Sequence, residues 1–257
     1  MSLLWRDRLD VFLSPQRVET QRRGGFLRRG AGEAASHPVQ ATETSVMREE
    51  WRAPLARLAS LSMGEGLDLS VVLSSCFARF QVLPWMEEVQ TSEERKAYAA
   101  IHFRQVYGLA AESWEMMVSE EPPGQASLAC AVDRTLLEAL NVLAVDKTCR
   151  LVSVQPAFAL AWNRWRNRLD GQGGFFAVAE DAALCLASLS GGQWRSVRNR
   201  RLAGTSLVDA LAGALEEQEM AGDMPLPGAR RCLADVRGVG PAIPGWQSLD
   251  VGWRAWP

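Results

Sequence analysis

The stretch Gly173–Gly204, "GGFFAVAEDAALCLASLSGGQWRSVRNRRLAG", decides how the whole chain is interpreted. Its residues alternate as in a β-meander, and Gly191-Gly192 has the composition of a hairpin turn. The pattern predicts three strands, at about 175–179, 183–189 and 194–202. A helix from Thr205 to about Met220 and a strand over "RCLADV" follow. This region therefore predicts the element order βββαβ.

The beginning of the chain has the same order of elements. "RLDVFL" and "RVETQR" are predicted strands of a hairpin across "SPQ", and "HPVQATET" is predicted as the third strand after a loop over 24–36. A helix is predicted from Ser45, with Pro54 either kinking it or marking its true start. The strand "LDLSVVLSS" closes this unit.

The order βββαβ thus occurs twice, near 8–73 and near 175–236. Two such halves form the duplicated ribonuclease H-like core of the actin/Hsp70/hexokinase superfold. We therefore predict an α/β protein of the actin-like ATPase (ribonuclease H-like) superfold, with two βββαβ halves and an α+β insertion.

Between the halves, the sequence predicts a helix that Gly108 stops, a hairpin across a Pro-Pro-Gly turn and a helix that Asp133 caps. The strand "CRLVSVQP" and a further helix follow. The predicted domains are a first half over 1–74, an inserted α+β segment over 75–170 that completes the first lobe, and a second half with a tryptophan-rich tail over 171–257.

Composition excludes several classes of function. The chain has 257 residues, of which 47% are hydrophobic, and a formal net charge of −2, which offers no global field for nucleic acid or anionic lipid. No apolar run is long enough for a membrane span. The five cysteines are dispersed and predict reduced core thiols, and the two histidines form no ligand pair, so no metal site is predicted.

Four stretches resemble the actin-like proteins of type IV pilus and type II secretion platforms, the PilM, GspL and MshI families. They are "LDVFLSPQRVETQRR", "LDLSVVLSSCFARFQVLPW", "ACAVDRTLLEALNVLAVDKTCRLVSVQPAFALAWNRW" and "RSVRNRRLAGTSLVDALAGAL". The order and spacing of these weak motifs, over about 8–236, carry the resemblance. It implies a cytoplasmic component, peripheral at the inner membrane, whose partners are inner-membrane pilus or secretion proteins. A homodimer is left open.

The two hairpin turns argue against ATP hydrolysis. In actin-like ATPases each half begins with an Asp-x-Gly hairpin, because the glycine lets backbone N–H groups approach the phosphates and the acid organises magnesium. Here Phe12 stands where the first glycine is needed, and Asp10 is interpreted as a strand-edge acid. In the second turn Glu180 and Asp181 are followed by alanines. No cofactor is expected.

A nucleotide-binding ATPase or kinase of the same superfold is the alternative, with Mg·ATP as its cofactor. Its binding residues would be Asp10, Glu180, Asp181, Gly204, Gly238 and Gly240. The glycines of "VRGVGPAIPGWQ" only faintly resemble an adenosine site, and a surface loop is the favoured interpretation.

Partner-binding candidates come from the basic third strand and from the tail. Arg198 and Arg200 share one face by alternation and Arg201 lies on the other, so the strand with Arg195 is either a charge-protected edge or a surface for acidic partners or lipid headgroups. Trp246, Trp253 and Trp256 predict a tail that either folds back onto the body or docks on a partner. No catalytic residue is predicted.

Overall fold

The computed structural model describes residues 6–24, 31–40, 49–169, 173–222, 228–236, 238, 242–249 and 253. The strands are β1 (Arg8–Leu13), β2 (Arg17–Arg23), β3 (Ala31–Pro38), β4 (Asp68–Leu73), β5 (Ala78–Leu83), β6 (Trp114–Val118), β7 (Ser127–Asp133), β8 (Arg150–Pro156), β9 (Gly173–Ala179), β10 (Ala183–Ser190), β11 (Gln193–Arg201), β12 (Arg230–Asp235) and β13 (Gln247–Ser248). The α-helices are α1 (Arg52–Ala59), α2 (Ser92–Tyr107), α3 (Arg134–Asp146), α4 (Ala157–Trp165) and α5 (Leu207–Met220). Short 3₁₀ helices cover Ser75–Phe77, Gly108–Ser113 and Arg166–Leu169.

Two five-stranded sheets have equivalent strand orders, β3-β2-β1-β4-β8 and β11-β10-β9-β12-β13. In each sheet the first three strands pair antiparallel, and the fourth lies parallel to the first on its other side. Each half therefore has the predicted βββαβ order. β8, which follows the middle segment along the chain, is the fifth strand of the first sheet.

A third sheet, with the order β5-β7-β6, lies between β4 and α3 in the sequence. α2 packs on it through Ala99 and Phe103, which are buried against Met116 and Ala129. This small α+β unit has a core cluster of its own, whereas the two large sheets share one. Within the described residues, no helix is both long and apolar enough to cross a membrane.

Local capping signals place the ends of the helices in the middle segment. Thr91 and Glu94 form a reciprocal capping box at the start of α2, and Gly108 ends the helix with a φ of +66°. Asp133 accepts a hydrogen bond of 2.9 Å from the Thr135 N–H at the start of α3. The predicted roles of Gly108 and Asp133 are confirmed.

The third strand of the first half was predicted in the wrong place. The third strand was expected over "HPVQATET", but β3 covers Ala31–Pro38, most of which was assigned to a loop. These small residues have low strand propensity, and the ladder with β2 overrides it. α1 begins at Arg52, which confirms the alternative that Pro54 marks the start of the helix; Pro54 lies in the first turn, where its missing N–H costs no hydrogen bond. Ser45 lies outside the described residues.

The two large sheets and the third sheet meet around Phe158, at the start of α4. Its ring is fully buried and lies 5.1 Å from Phe80 of β5 and 5.8 Å from Phe176 of β9, measured between ring centroids. Trp162, one helical turn further, lies 5.4 Å from Phe176 and 4.4 Å from Trp194. This aromatic cluster joins the third sheet to the second large sheet, and α4, which carries Phe158 and Trp162, follows directly on β8 of the first sheet.

Replacing Phe158 by alanine should lower the free energy of unfolding by about 3–5 kcal/mol, because it removes a buried ring that packs against both the third sheet and the second large sheet and leaves a cavity. Urea denaturation measures the change. Val145→Ala on α3, where the side chain is 76% exposed, is the matched control and should change stability by less than about 0.5 kcal/mol. Equal losses for the two variants would contradict the central position of Phe158.

Candidate functional site at the junction of the two halves

The Glu180 carboxylate, in the turn after β9, fastens the second half to the first. The side chain is only 3% exposed, and it accepts a hydrogen bond of 2.8 Å from the Ser75 N–H. The Ser74 hydroxyl donates to its other oxygen, and Ser74 Oγ in turn accepts from the Cys76 N–H at 3.1 Å. Glu180 thus binds the N-terminus of the Ser75–Phe77 3₁₀ helix.

Asn199 of β11 holds the same first-half segment from the other side. Its side-chain amide donates to the Ser75 carbonyl oxygen and, at 3.2 Å, to the Ala78 carbonyl oxygen. The donors at the start of this short segment and the acceptors along it are therefore both bound by the second half. This arrangement fixes how the two large sheets lie against each other.

Burial raises the pKa of Glu180 above its ordinary value. The hydrogen bonds from Ser74 and Ser75 favour the charged form and oppose this increase, whereas the neighbouring Asp181 adds to it. The pKa of the Cys76 thiol rises to about 11, mainly because of burial and also because of the Glu180 carboxylate. Cys76 is therefore a protonated, unreactive thiol at neutral pH.

The polar groups of the first hairpin turn bond to each other, and Arg17 of this turn also pairs with the second turn. The Ser14 hydroxyl donates to the Arg17 carbonyl oxygen at 2.9 Å, and the Arg17 N–H donates back to Ser14 Oγ at 3.2 Å. The Arg17 guanidinium forms ion pairs with Glu19 at 2.7 Å and with Asp181 at 2.8 Å. The two turns that would face a phosphate in an actin-like ATPase are thus joined by an arginine of this chain.

Phe12 and Trp253 stack on each other next to this ion pair. Both rings are 1% exposed, and their centroids lie 5.9 Å apart with an interplanar angle of 28°. The Trp253 indole N–H donates to Glu19 Oε2 at 2.8 Å, and its backbone N–H donates to the Val236 carbonyl oxygen at 2.8 Å. Phe12, which stands where an actin-like ATPase has a phosphate-loop glycine, is therefore covered by Trp253 of the same chain.

The described residues of the tail, 246–249 and 253, fold back onto the body, as one of the two sequence hypotheses predicted. β13 pairs in parallel with β12, and Trp246 packs, half-buried, against the core cluster under α5. A partner could contact Trp253 only if the tail were displaced, because the side chain is buried. Trp256 lies outside the described residues.

Asp10 does not lie at a strand edge, so that part of the sequence interpretation was wrong. β1 is the central strand of its sheet, and the Asp10 side chain is 1% exposed. Its two carboxylate oxygens form ion pairs of 2.6 Å with Arg8 and with Arg23. Since β1 continues to Leu13, Asp10 lies within the strand rather than at the turn.

Two of the three glycines considered for nucleotide binding, Gly204 and Gly238, lie within the described residues. Gly204 is exposed in the turn that leads to α5, with a φ of +85°. Gly238 follows β12, and its N–H donates to the Asp235 carbonyl oxygen at 3.1 Å. Gly240 lies outside the described residues. In the parts of the chain that the structure describes, no three His, Cys, Asp or Glu side chains come together as a metal site requires.

The basic strand is the outermost strand of its sheet and has the predicted alternation. Arg198 and Arg200 lie opposite Leu186 and Leu184, which face α5, and Arg200 forms an ion pair with Glu217 of that helix. Arg201 forms an ion pair of 2.6 Å with Glu50. Arg195 is the extra residue of a β-bulge, because Leu189 pairs with Trp194 and Ser188 pairs with Ser196.

Sequence reasoning identified Glu180 but missed three other residues of the junction, Ser74, Asn199 and Glu19. Serine before a short helical turn is a recognisable N-cap signal, so Ser74 could have been found. Asn199 and Glu19 carry no such signal, because each contacts a residue more than 100 positions away.

No model of a protein family and no curated protein matches the sequence. Solved structures do match. The cytoplasmic domain of EpsL, an inner membrane component of the type II secretion system of Vibrio cholerae, is similar with a TM-score of 0.55 and 14% identity, over 96% of this chain and 87% of that chain. A Bacteroides thetaiotaomicron protein described as having an actin-like ATPase fold and unknown function gives a TM-score of 0.57 and 13% identity, over 92% of this chain and 85% of that chain.

This chain has an actin-like fold. The PilM–PilN type IV pilus biogenesis complex also matches, with a TM-score of 0.55 and 14% identity, over 91% of this chain and 82% of that chain. The predicted superfold is therefore confirmed. At these identities the similarity concerns the fold alone.

Stability should fall as the pH rises through the raised pKa of Glu180. The folded pKa is higher than that of the unfolded chain, so protonation favours the folded state; this stabilisation is complete below about pH 4.3 and is lost above the folded pKa. Between the two values, the free energy of unfolding should decrease by up to about 1.4 kcal/mol per pH unit. Glu180→Gln should remove this decrease, as measured by urea denaturation across pH.

Glu138→Gln, at an exposed position of α3, is the matched control and should follow the wild-type pH profile. The assignment fails if the profiles of the Glu180 variant and the wild type run parallel.

Proposed function

We propose that this protein is a non-catalytic scaffold on the cytoplasmic side of an inner-membrane assembly platform of the type IV pilus or type II secretion kind, and that it works by binding partner proteins. The observation that carries the proposal is that the protein's own side chains occupy the junction between the halves and link the halves through hydrogen bonds, an ion pair and an aromatic contact.

Among the described residues, the junction lacks the features that a bound nucleotide needs. A phosphate site requires unpaired backbone N–H groups and a close backbone approach. Here the Arg17 N–H is bound by Ser14, and the buried stack of Phe12 and Trp253 lies beside the turn. Glu180 and Asp181 are engaged by Ser75 and Arg17. The residues present therefore do not fit Mg·ATP.

The class of machine is proposed from the similar structures. One of them is an inner membrane component of a type II secretion system, and another is a complex of type IV pilus biogenesis. A protein that keeps this fold but fills the junction with its own side chains retains its outer surfaces and loses the nucleotide site. Binding of partners is then the activity that remains to it.

An apolar groove of about 630 Å³ provides a surface for such a partner. It lies between the third sheet, β8 and α4, with Phe80, Leu128 and Trp162 among its walls. Met117 lines it and is 71% exposed. β8 is the outermost strand of its sheet among the described residues, so an extended apolar segment could add its backbone along this edge.

Mg·ATP should leave the melting temperature unchanged. A ligand present at 100 times its dissociation constant would stabilise the protein by about 2.7 kcal/mol, which is a shift of several degrees for a chain of this size. Differential scanning fluorimetry with magnesium alone as the control measures this. A saturable increase with Mg·ATP would instead favour the alternative, a nucleotide-dependent ATPase or kinase.

Met117→Lys should reduce the capture of inner-membrane pilus or secretion proteins from native lysate by about tenfold, because it places a charge in the apolar groove. Quantitative mass spectrometry of the captured proteins measures this. Met220→Lys on α5, at an 81% exposed methionine outside the groove, is the matched control and should capture as the wild type does.

Two results would contradict this part of the proposal. One is recovery of soluble metabolic enzymes alone, and the other is an equal loss of capture for the two methionine variants.

A further inference from the structure

A second pocket, of about 540 Å³, lies where β11 meets α5 and the start of β5, and it shares Phe80 with the apolar groove. Four arginines line it, Arg79, Arg198, Arg200 and Arg201, against one carboxylate, that of Glu217. The chain as a whole carries a net charge of −2, so this concentration of positive charge is local.

The guanidinium groups of Arg79, Arg200 and Arg201 are held in place by contacts within the protein. Arg200 is paired with Glu217, and Arg201 is paired with Glu50 at 2.6 Å. Arg79 donates through one nitrogen to the carbonyl oxygens of Cys76 and Ala78, at 3.0 and 2.8 Å. A guanidinium has five N–H donors, so a group anchored through one nitrogen keeps others for a ligand. Because the side chains are already ordered, a carboxylate would bind them at a low cost in conformational entropy.

The shape and the remaining walls of the pocket narrow the ligand class. Val197 of β11 and Tyr107, which is 36% exposed, add apolar surface beside the arginines. The site is concave and has the size of a ligand pocket, so a peptide can enter it, whereas a flat bilayer cannot. The arginines at the rim and the apolar wall of Val197 and Tyr107 together fit a segment in which carboxylate side chains alternate with apolar ones.

We propose that this arginine pocket binds an acidic, partly apolar segment of a partner protein. Carboxylates pair with the guanidinium groups through charge-assisted hydrogen bonds, and the apolar side chains pack on Val197 and Tyr107. The pocket borders the apolar groove at Phe80 and the junction at Cys76 and Asn199, but the contacts proposed here use its arginines, Val197 and Tyr107. The inference therefore does not depend on the proposed absence of ATPase activity or on the class of machine.

The test is fluorescence anisotropy with a labelled short peptide of alternating glutamate and leucine, at about 0.15 M salt, where exposed charges more than about 8 Å apart are largely screened from each other. The acidic peptide should bind saturably, and a peptide of alternating lysine and leucine should not. Arg198→Glu should weaken the binding by about tenfold, since it reverses a charge in the pocket.

Arg195→Glu is the matched control, because Arg195 is an exposed arginine of the same strand that does not line the pocket. It should weaken binding by about twofold or less, since screened charges outside the pocket contribute little. Arg198→Gln, which removes the charge without adding a carboxylate, gives a second measurement if the reversal variant melts early.

The proposal is overturned if the lysine peptide binds as well as the glutamate peptide, or if the two arginine variants lose affinity equally. It is also overturned if phosphatidylglycerol vesicles bind in an Arg198-dependent way while the acidic peptide does not, since the surface then recognises lipid headgroups. Met117→Lys should leave peptide binding unchanged, so a failure here is distinguishable from a failure of the apolar groove.

Discussion

The structure depends on one buried carboxylate, that of Glu180. An isolated carboxylate is costly to bury, so the fold must offer it donors, and it does so at the N-terminus of the Ser75–Phe77 helix. That requirement fixes the β9–β10 turn against the end of β4 and thereby sets the two large sheets in one relative position. The residue that most resembles a phosphate-loop acid in the sequence thus serves as the contact that joins the halves.

A second, aromatic contact complements this polar one. Phe12 is too large for a loop that approaches a phosphate, and its ring would be poorly packed without a partner. Trp253 provides that partner, and its indole N–H is satisfied by Glu19. Glu19 also pairs with Arg17, which pairs with Asp181, so a continuous series of contacts runs from the tail through the first turn to the second.

The sequence predicted those features that depend on local pattern. The two βββαβ halves, the Asp133 cap and the Gly108 stop follow from periodicity and capping, which act within a few residues. β3 could not be predicted in place, because its small residues form a strand only through the ladder with β2. Glu180 was found as a candidate, but its binding to Ser74, 106 residues away, depends on tertiary structure that no local pattern reports.

The contact between Trp253 and Glu19 also has a consequence for the order in which the protein folds. The two residues are 234 positions apart, so the entire segment between them must leave the ribosome before they can meet. β1, β2 and β4 can pair long before that, with the Phe12 face of the first sheet still uncovered. The aromatic contact is therefore among the last to form during synthesis, and until then the nascent protein exposes an apolar surface that chaperones can bind.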